Sequence, residues 1–240
     1  MLAKNSYVVM AVMFFCFAVL SHHNNDYITT VIFVWFGVVF CFFWLIHFLK
    51  TNFLKDYAPL LVRDSFLKYG VLSLVLFPFL FIKYLSLLFQ SFSKEGPISQ
   101  VTDKIFIGQQ LLWFHQKIFK EKNLSAVLDV TIENREPFFI AMNKSINYMR
   151  IPVLDKTSPS VEQIEKGVRW GLDRIAQGRK LYVHCGAGHE RSTTFVAAIL
   201  LRSKSCATVD EAMSLIKQNR YKARFVGNQE AILKKWVEVS

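Results

Sequence analysis

The 240-residue chain is predicted to be an α/β protein, a three-layer sandwich around a mainly parallel central sheet, preceded by an N-terminal helical membrane region. Three observations predict this. Residues 1–92 hold long apolar runs with few charges, whereas residues 94–240 have the mixed composition of a soluble domain. In that second part, apolar runs of strand length alternate with amphipathic segments of helix length, the pattern of βα units. At one strand-to-helix junction stands "HCGAGHERST", residues 184–193, where open α/β sheets bind their ligands.

The first apolar segment, 6–20, follows Lys4. Val19-Leu20-Ser21 lacks the small-x-small pattern of a cleavage site, so an uncleaved helix is expected. The second, 27–49, contains no Asp, Glu, Lys or Arg and reads as a spanning helix, since about 20 apolar residues cross a bilayer. The third, 70–92, is interrupted by Pro78 and Lys83 and either crosses or lies in the interface. Residues 1–92 are thus expected to carry two to three transmembrane helices. Lys50, Lys55, Arg63 and Lys68 assign the loop 50–69 to the cytoplasmic side. The expectation is a multi-pass integral membrane protein whose second half lies on a side set by the third segment. Residues 93–100, "SKEGPISQ", read as a linker, and 101–240 as the α/β domain.

Strands are expected at 104–108, 125–130, 147–151 and 180–184, each a short apolar run. Helices are expected at 109–122, 160–177, 191–203, 209–218 and 228–239. In 160–177, Val161, Ile164, Val168 and Leu172 recur at helical spacing, Ser160 and Gln163 form a capping pair, and Gly178 supplies the stop.

The net charge is +11, and residues 94–240 hold 23 Lys and Arg against 15 Asp and Glu, an excess of +8. A basic surface next to anionic lipid head groups accounts for it. No basic stripe with interleaved aromatics, finger spacing or helix-turn-helix signal is present, so nucleic acid is not an expected partner. Four cysteines imply no disulfide framework. Cys16 and Cys41 lie in apolar segments and Cys206 has no near partner, which leaves Cys185 as a reduced thiol in the glycine-rich stretch.

Several patterns compete for that stretch. A dinucleotide fingerprint would need a third glycine where Arg191 stands, and a nucleotide P-loop would need Gly-Lys-Ser/Thr at its end. A zinc site using Cys185 and His189, with or without His184, lacks a second ligand pair. Cysteine-based phosphate chemistry uses every residue. Gly186 and Gly188 permit positive φ, so that the amides of Gly186, Ala187, Gly188, His189 and Glu190 can converge on a phosphate. Arg191 offers a planar two-pronged donor to the same oxygens. The amides and the following helix dipole favour a Cys185 thiolate, the nucleophile, while Ser192 can donate to it as it leaves and His184 can fix the loop. The remaining need is a general acid. Asp155, in a turn stiffened by Pro152 and Pro159, is the candidate, the alternative being a turn aspartate; Asp129 is the second candidate, though its apolar strand favours a structural role. Neither a metal nor an organic cofactor is required.

"VHCGAGHERST" resembles the signature of the dual-specificity branch of the Cys-based protein tyrosine phosphatase superfamily. The resemblance runs from about Val101 to Trp236. "KIFIGQQL" is similar to that domain's opening strand and turn, "AVLDVTIENRE" to a strand ending in Asp-x-Thr-x-Glu in bacterial membrane-associated members, and "RIPVLDKTSPS" to their acid loop. "RYKARFVGN" resembles the closing arginine-to-asparagine stretch, with Gly227 where proline is common. The resemblance implies a phosphotyrosine-phosphatase-like fold and Asp155 as the acid. Glu190 departs from it, because a carboxylate in the loop repels a dianion unless it points outward or pairs with a base. The expected function is a membrane-anchored phosphomonoester hydrolase with a cysteinyl-phosphate intermediate, acting on phosphoproteins or lipid phosphates. The alternative is a catalytically inactive phosphate-binding or scaffold module tethered to the membrane.

Overall fold

The computed structural model describes residues 2–48, 77–132 and 136–239. The chain divides into two units, Met1–Ser86 and Leu87–Ser240.

In the first unit, α1 (Leu2–His23) and α2 (Tyr27–Phe48) pack on each other through an aromatic seam. Phe14 stacks on Phe40 at 5.7 Å and packs against Phe36 at 4.9 Å, distances at which offset and tilted ring pairs attract. The turn between them is closed by Asp26, whose carboxylate accepts from the Thr29 amide at 3.1 Å. Among the described residues no helix is long and apolar enough to cross a membrane. That finding overturns the expectation of a multi-pass integral membrane protein. The apolar faces of the first two segments are in part spent on each other. The third expected span, 70–92, is described only as α3 (Phe77–Ser91), a helix of 15 residues. Residues 70–76 of that segment lie outside the described residues. The charged loop used to assign orientation, 50–69, lies outside the described residues.

The second unit is built on a five-stranded mixed sheet: β1 (Ile98–Gln100), β2 (Ile105–Gly108), β3 (Leu124–Asp129), β4 (Asn147–Arg150) and β5 (Lys180–His184), in the spatial order β1-β2-β5-β3-β4. Only β1 runs antiparallel to its neighbour. Residues 93–100, expected to be a linker, thus contain an edge strand. Side chains alternate across the sheet with period two, except at the irregularity between Leu124 and Ala126 in β3. Ile105, Ile107, Ala126, Leu128, Leu181 and Val183 face one core, and Phe106, Leu124, Val127 and Tyr182 the other. The first core is covered by α6 (Val161–Ala176), α7 (Arg191–Arg202), α8 (Val209–Asn219) and α9 (Gln229–Val239). The second is covered by α4 (Gln116–Glu121) and the single turn α5 (Phe138–Ala141). The result is an α/β sandwich of three layers, and the expected Ser160–Gln163 capping box closes the start of α6 with both reciprocal bonds.

One expected helix, 109–122, is shortened to a 3₁₀ turn at Trp113–His115 followed by α4. Its first amides are engaged elsewhere. The Gln109 N–H donates to Pro97 O at 3.1 Å and the Gln110 N–H to Gly186 O at 2.9 Å, so this stretch stays extended beneath the loop after β5.

Candidate active site

The loop between β5 and α7 carries most of the predicted site. β5 is the middle strand of the sheet, and its carboxyl end delivers Cys185 directly under the N-terminus of α7. The Gly188 amide donates to Cys185 Sγ at 3.2 Å, and Ser192 Oγ lies 3.4 Å from the same sulfur. Burial pushes the thiol pKa up, but the Arg191 charge, the Ser192 hydroxyl and the Ser192 and Glu190 amides outweigh it. The net shift is downward, towards thiolate.

The loop is held open by what grips its outside. Gly186 O accepts from the Gln110 amide. Ala187 O accepts from Arg220 Nη2 at 2.8 Å and from the Gln90 side-chain amide, and Gly188 O from Arg220 Nε at 3.1 Å. His189 O accepts from the Arg224 amide at 2.8 Å and from Thr193 Oγ1 at 3.0 Å. Four successive carbonyls are thereby turned outward. Because the N–H of each peptide unit opposes its C=O, the following amides face the cysteine. Gly188 has φ +75°, and a Cβ there would lie 2.2 Å from the carbonyl group of Gly108 at the end of β2. Of the two loop glycines that permit positive φ, Gly188 adopts it and Gly186 does not.

Two predicted phosphate-loop residues turn their side chains away. His189 Nε2 meets Glu95 at 2.7 Å, so that nitrogen faces Glu95 and not Cys185. Burial and the nearby Arg220 charge lower its pKa, with Glu95 opposing. Glu190 is gripped by Lys156 at 2.6 Å and Arg224 at 2.6 Å. Burial raises its pKa, but these two bases prevail and keep it ionised. The repulsion of a dianion expected from this carboxylate is thus compensated locally.

Arg191 is 2 % exposed; its Nη1 donates to Val153 O at 2.7 Å and its Nη2 meets Asp155 Oδ1 at 3.0 Å. The turn bearing Asp155 therefore sits over the loop, 38 % of that side chain remaining open to solvent. Asp129 is elsewhere engaged. Its carboxylate accepts from the Thr131 amide and hydroxyl, from Tyr148 Oη at 2.9 Å and from Arg150 Nε at 2.6 Å. Asp129, Glu136 and His184 come close enough together to suggest a metal cage. They do not fit one, because Arg150 and the imidazole already supply the positive charge. His184 Nε2 lies 2.9 Å from Glu136 Oε1 and its Nδ1 3.3 Å from Cys185 O. Burial alone would lower the His184 pKa; Glu136, Asp129 and the Cys185 carbonyl outweigh it and raise it to about 9. The His184 ring thus stands directly behind Cys185, with its protonated form favoured.

The sequence reading missed Arg220, Glu95, Gln90, Gln110, Lys156, Arg224 and Glu136. The stretch opening at Arg220, "RYKARFVGN", is visible as a resemblance, but the carbonyls that its guanidinium grips are not legible until they are placed around it.

A thiol held towards thiolate, ringed by amides and faced by a guanidinium, is built to receive a phosphoryl group. Residues 105–237 match the family described as dual specificity phosphatase, catalytic domain. The chain belongs to the dual-specificity phosphatase family. A mouse phosphatidylglycerophosphatase and protein-tyrosine phosphatase 1 is 28% identical over 127 residues, covering 50% of this chain and 65% of that protein. The chain therefore spans a little under two thirds of the length of that relative. The solved structure of Tk-PTP in its active form superposes with a TM-score of 0.54 at 23% identity, over 59% of this chain and 96% of that one. That of PTPMT1 in complex with PI(5)P superposes with 0.53 at 22% identity, over 59% and 95%. These likenesses show the fold of the dual-specificity phosphatase family for the second unit.

Proposed function

We propose that the chain hydrolyses phosphomonoesters through a cysteinyl-phosphate intermediate. The observation that carries this reading is the outward pinning of four loop carbonyls, which turns the following amides to the side of the Cys185 sulfur. In the first step the Cys185 thiolate forms a bond to phosphorus as the ester oxygen departs, and Asp155 gives that oxygen its proton. Charge on the equatorial oxygens is met by the amides and by Arg191. In the second step water attacks phosphorus, Asp155 takes its proton, and the departing sulfur is met by the Ser192 hydroxyl. Inorganic phosphate and the thiolate result.

The substrate class is a phosphorylated protein or a lipid phosphate. The family description and the mouse relative's name, which covers a lipid phosphate and phosphotyrosine, support both members of that class. The side chains of His189 and Glu190 are turned outward, so recognition of the phosphoryl group itself falls to the main chain and Arg191.

Turnover of p-nitrophenyl phosphate by the full chain, wild type against Cys185→Ser, tests the reading. A serine hydroxyl is not ionised near neutral pH, so the variant should bind vanadate and release no product. Substantial turnover by the variant, or loss of wild-type activity on adding EDTA, would overturn it. A panel of phosphopeptides and phospholipids then assigns the substrate.

A further inference from the structure

Glu190 is the residue by which this loop departs from an ordinary phosphate cradle. Its side chain is 8 % exposed and leans away from the sulfur. Both of its oxygens accept from Lys156 Nζ at 2.6 Å, and Oε1 also accepts from Arg224 Nη2 at 2.6 Å and Nε at 3.1 Å. Lys156 directly follows Asp155 and has φ +60°, a left-handed conformation that an unbranched side chain adopts only at a cost. The turn it occupies is closed by Thr157, which donates from its amide and hydroxyl to Leu154 O. Thus the acid-bearing turn is tied to the phosphate loop at two points on the same side. One is Arg191, through Val153 O and Asp155. The other is Lys156 to Glu190.

The first tie cannot survive catalysis intact. Arg191 Nη2 holds Asp155 only until a phosphate dianion claims the guanidinium, and Asp155 must then carry a proton, which ends the ion pair. The second tie involves no atom that touches the substrate. It stays closed while the first opens. Buried on the Glu190 side, it is weakly screened compared with an exposed pair.

We infer that Glu190 is a positioning residue for proton transfer, holding Asp155 over the leaving oxygen through Lys156 once Arg191 has turned to the phosphate. The inference rests on Asp155 being the general acid. A drift of about 1 Å in the acid's position can cost on the order of a hundredfold in rate. A neutral glutamine at 190 weakens the tie without removing the side chain, so a smaller loss is expected.

The test compares an alkyl phosphate, whose leaving group needs a proton, with p-nitrophenyl phosphate, whose leaving group hardly does. In the full chain, Glu190→Gln and Lys156→Gln should each lower kcat on the alkyl phosphate about tenfold more than on p-nitrophenyl phosphate. The double variant should lose no more than the worse single one, and Glu190→Asp should recover part of the loss. In an Asp155→Asn background neither substitution should add a leaving-group effect, because the group it positions is gone. Equal losses on both substrates, or an undiminished effect in the Asp155→Asn background, would overturn the inference while leaving Asp155 as the acid. If Asp155→Asn alone shows no leaving-group dependence, the acid assignment fails and the inference fails with it. Should Glu190→Gln not fold, Lys156→Gln carries the same comparison from a side chain 35 % exposed.

Discussion

Arg191 and Asp155 form an ion pair across the candidate site, Nη2 to Oδ1 at 3.0 Å. The pair joins the expected phosphate ligand to the expected acid, 36 residues apart in sequence. If Asp155 protonates the leaving group, Asp155→Asn should slow an alkyl phosphate about 10²- to 10⁴-fold and p-nitrophenyl phosphate far less. The basic limb of the pH–rate profile should flatten, since the group that must be protonated is absent. Steady-state kinetics on both substrates checks this, and an equal loss with an unchanged profile would reduce Asp155 to a turn residue.

Arg191→Lys keeps the charge and discards the planar fork. A lysine at 191 cannot reach Val153 O and a phosphate together in the way the guanidinium can. Both a higher KM and a kcat lowered by about 10²-fold or more are expected. Wild-type kinetics in this variant would show that the fork does not face the substrate.

Arg220→Met should damage the loop without touching any reacting atom. The side chain is fully buried and donates to Ala187 O, Gly188 O, Gly96 O and Ser99 Oγ. Its loss removes four donated bonds, leaving Ala187 O with the Gln90 amide as a remaining donor, and leaves Glu95, 3.9 Å away, with fewer positive neighbours. A destabilisation of about 3 kcal/mol or more is expected. Calorimetry measures it, and vanadate inhibition at a temperature where the variant is folded should be weakened too. Unchanged vanadate affinity would mean that the loop keeps its shape without the carbonyl anchors.

Stability should depend on pH through His184. Its folded pKa, about 9, exceeds the ordinary 6.5, chiefly because Glu136 overcomes the penalty of burial. A group raised in this way stabilises fully below pH 6.5, and the contribution fades as pH rises through about 9. The whole effect is on the order of 3 kcal/mol. The depressed thiol pKa gives a slope of opposite sign, so the measurement belongs in a Cys185→Ser background. There the melting temperature should fall between pH 6.5 and 9.5, and His184→Asn or Glu136→Gln should flatten that fall. An identical slope in both variants would remove His184 from the account.

What could be read in the sequence follows from range. β2 and β5 are visible because their apolar runs are local and both their faces are covered. Cys185, Arg191 and Ser192 are visible because one short loop holds them all. β1 is hidden because three residues, "ISQ", carry no period and follow a Gly-Pro pair. The start of the expected helix at 109 fails because its amides bond to Pro97 and Gly186, partners that only the assembled sheet supplies. Glu190 could be recognised as anomalous but not explained, since Lys156 and Arg224 lie 34 positions away on either side. The apolar N-terminal segments misled for a related reason. Length and composition do not reveal that Phe14 and Phe40 face each other.

The anchoring of the loop from outside has a consequence for when the protein becomes competent during synthesis. A ribosome that has released the chain as far as Arg202 has already supplied Cys185, Arg191 and Asp155. It has not yet supplied the segment 220–224, whose Arg220 side chain and Arg224 amide fix three of the four carbonyls. Until that segment docks, those peptide units are free to rotate, and the thiol faces no fixed ring of donors. The ring of donors around Cys185 is therefore a product of tertiary closure, complete only once residues 220–224 have docked.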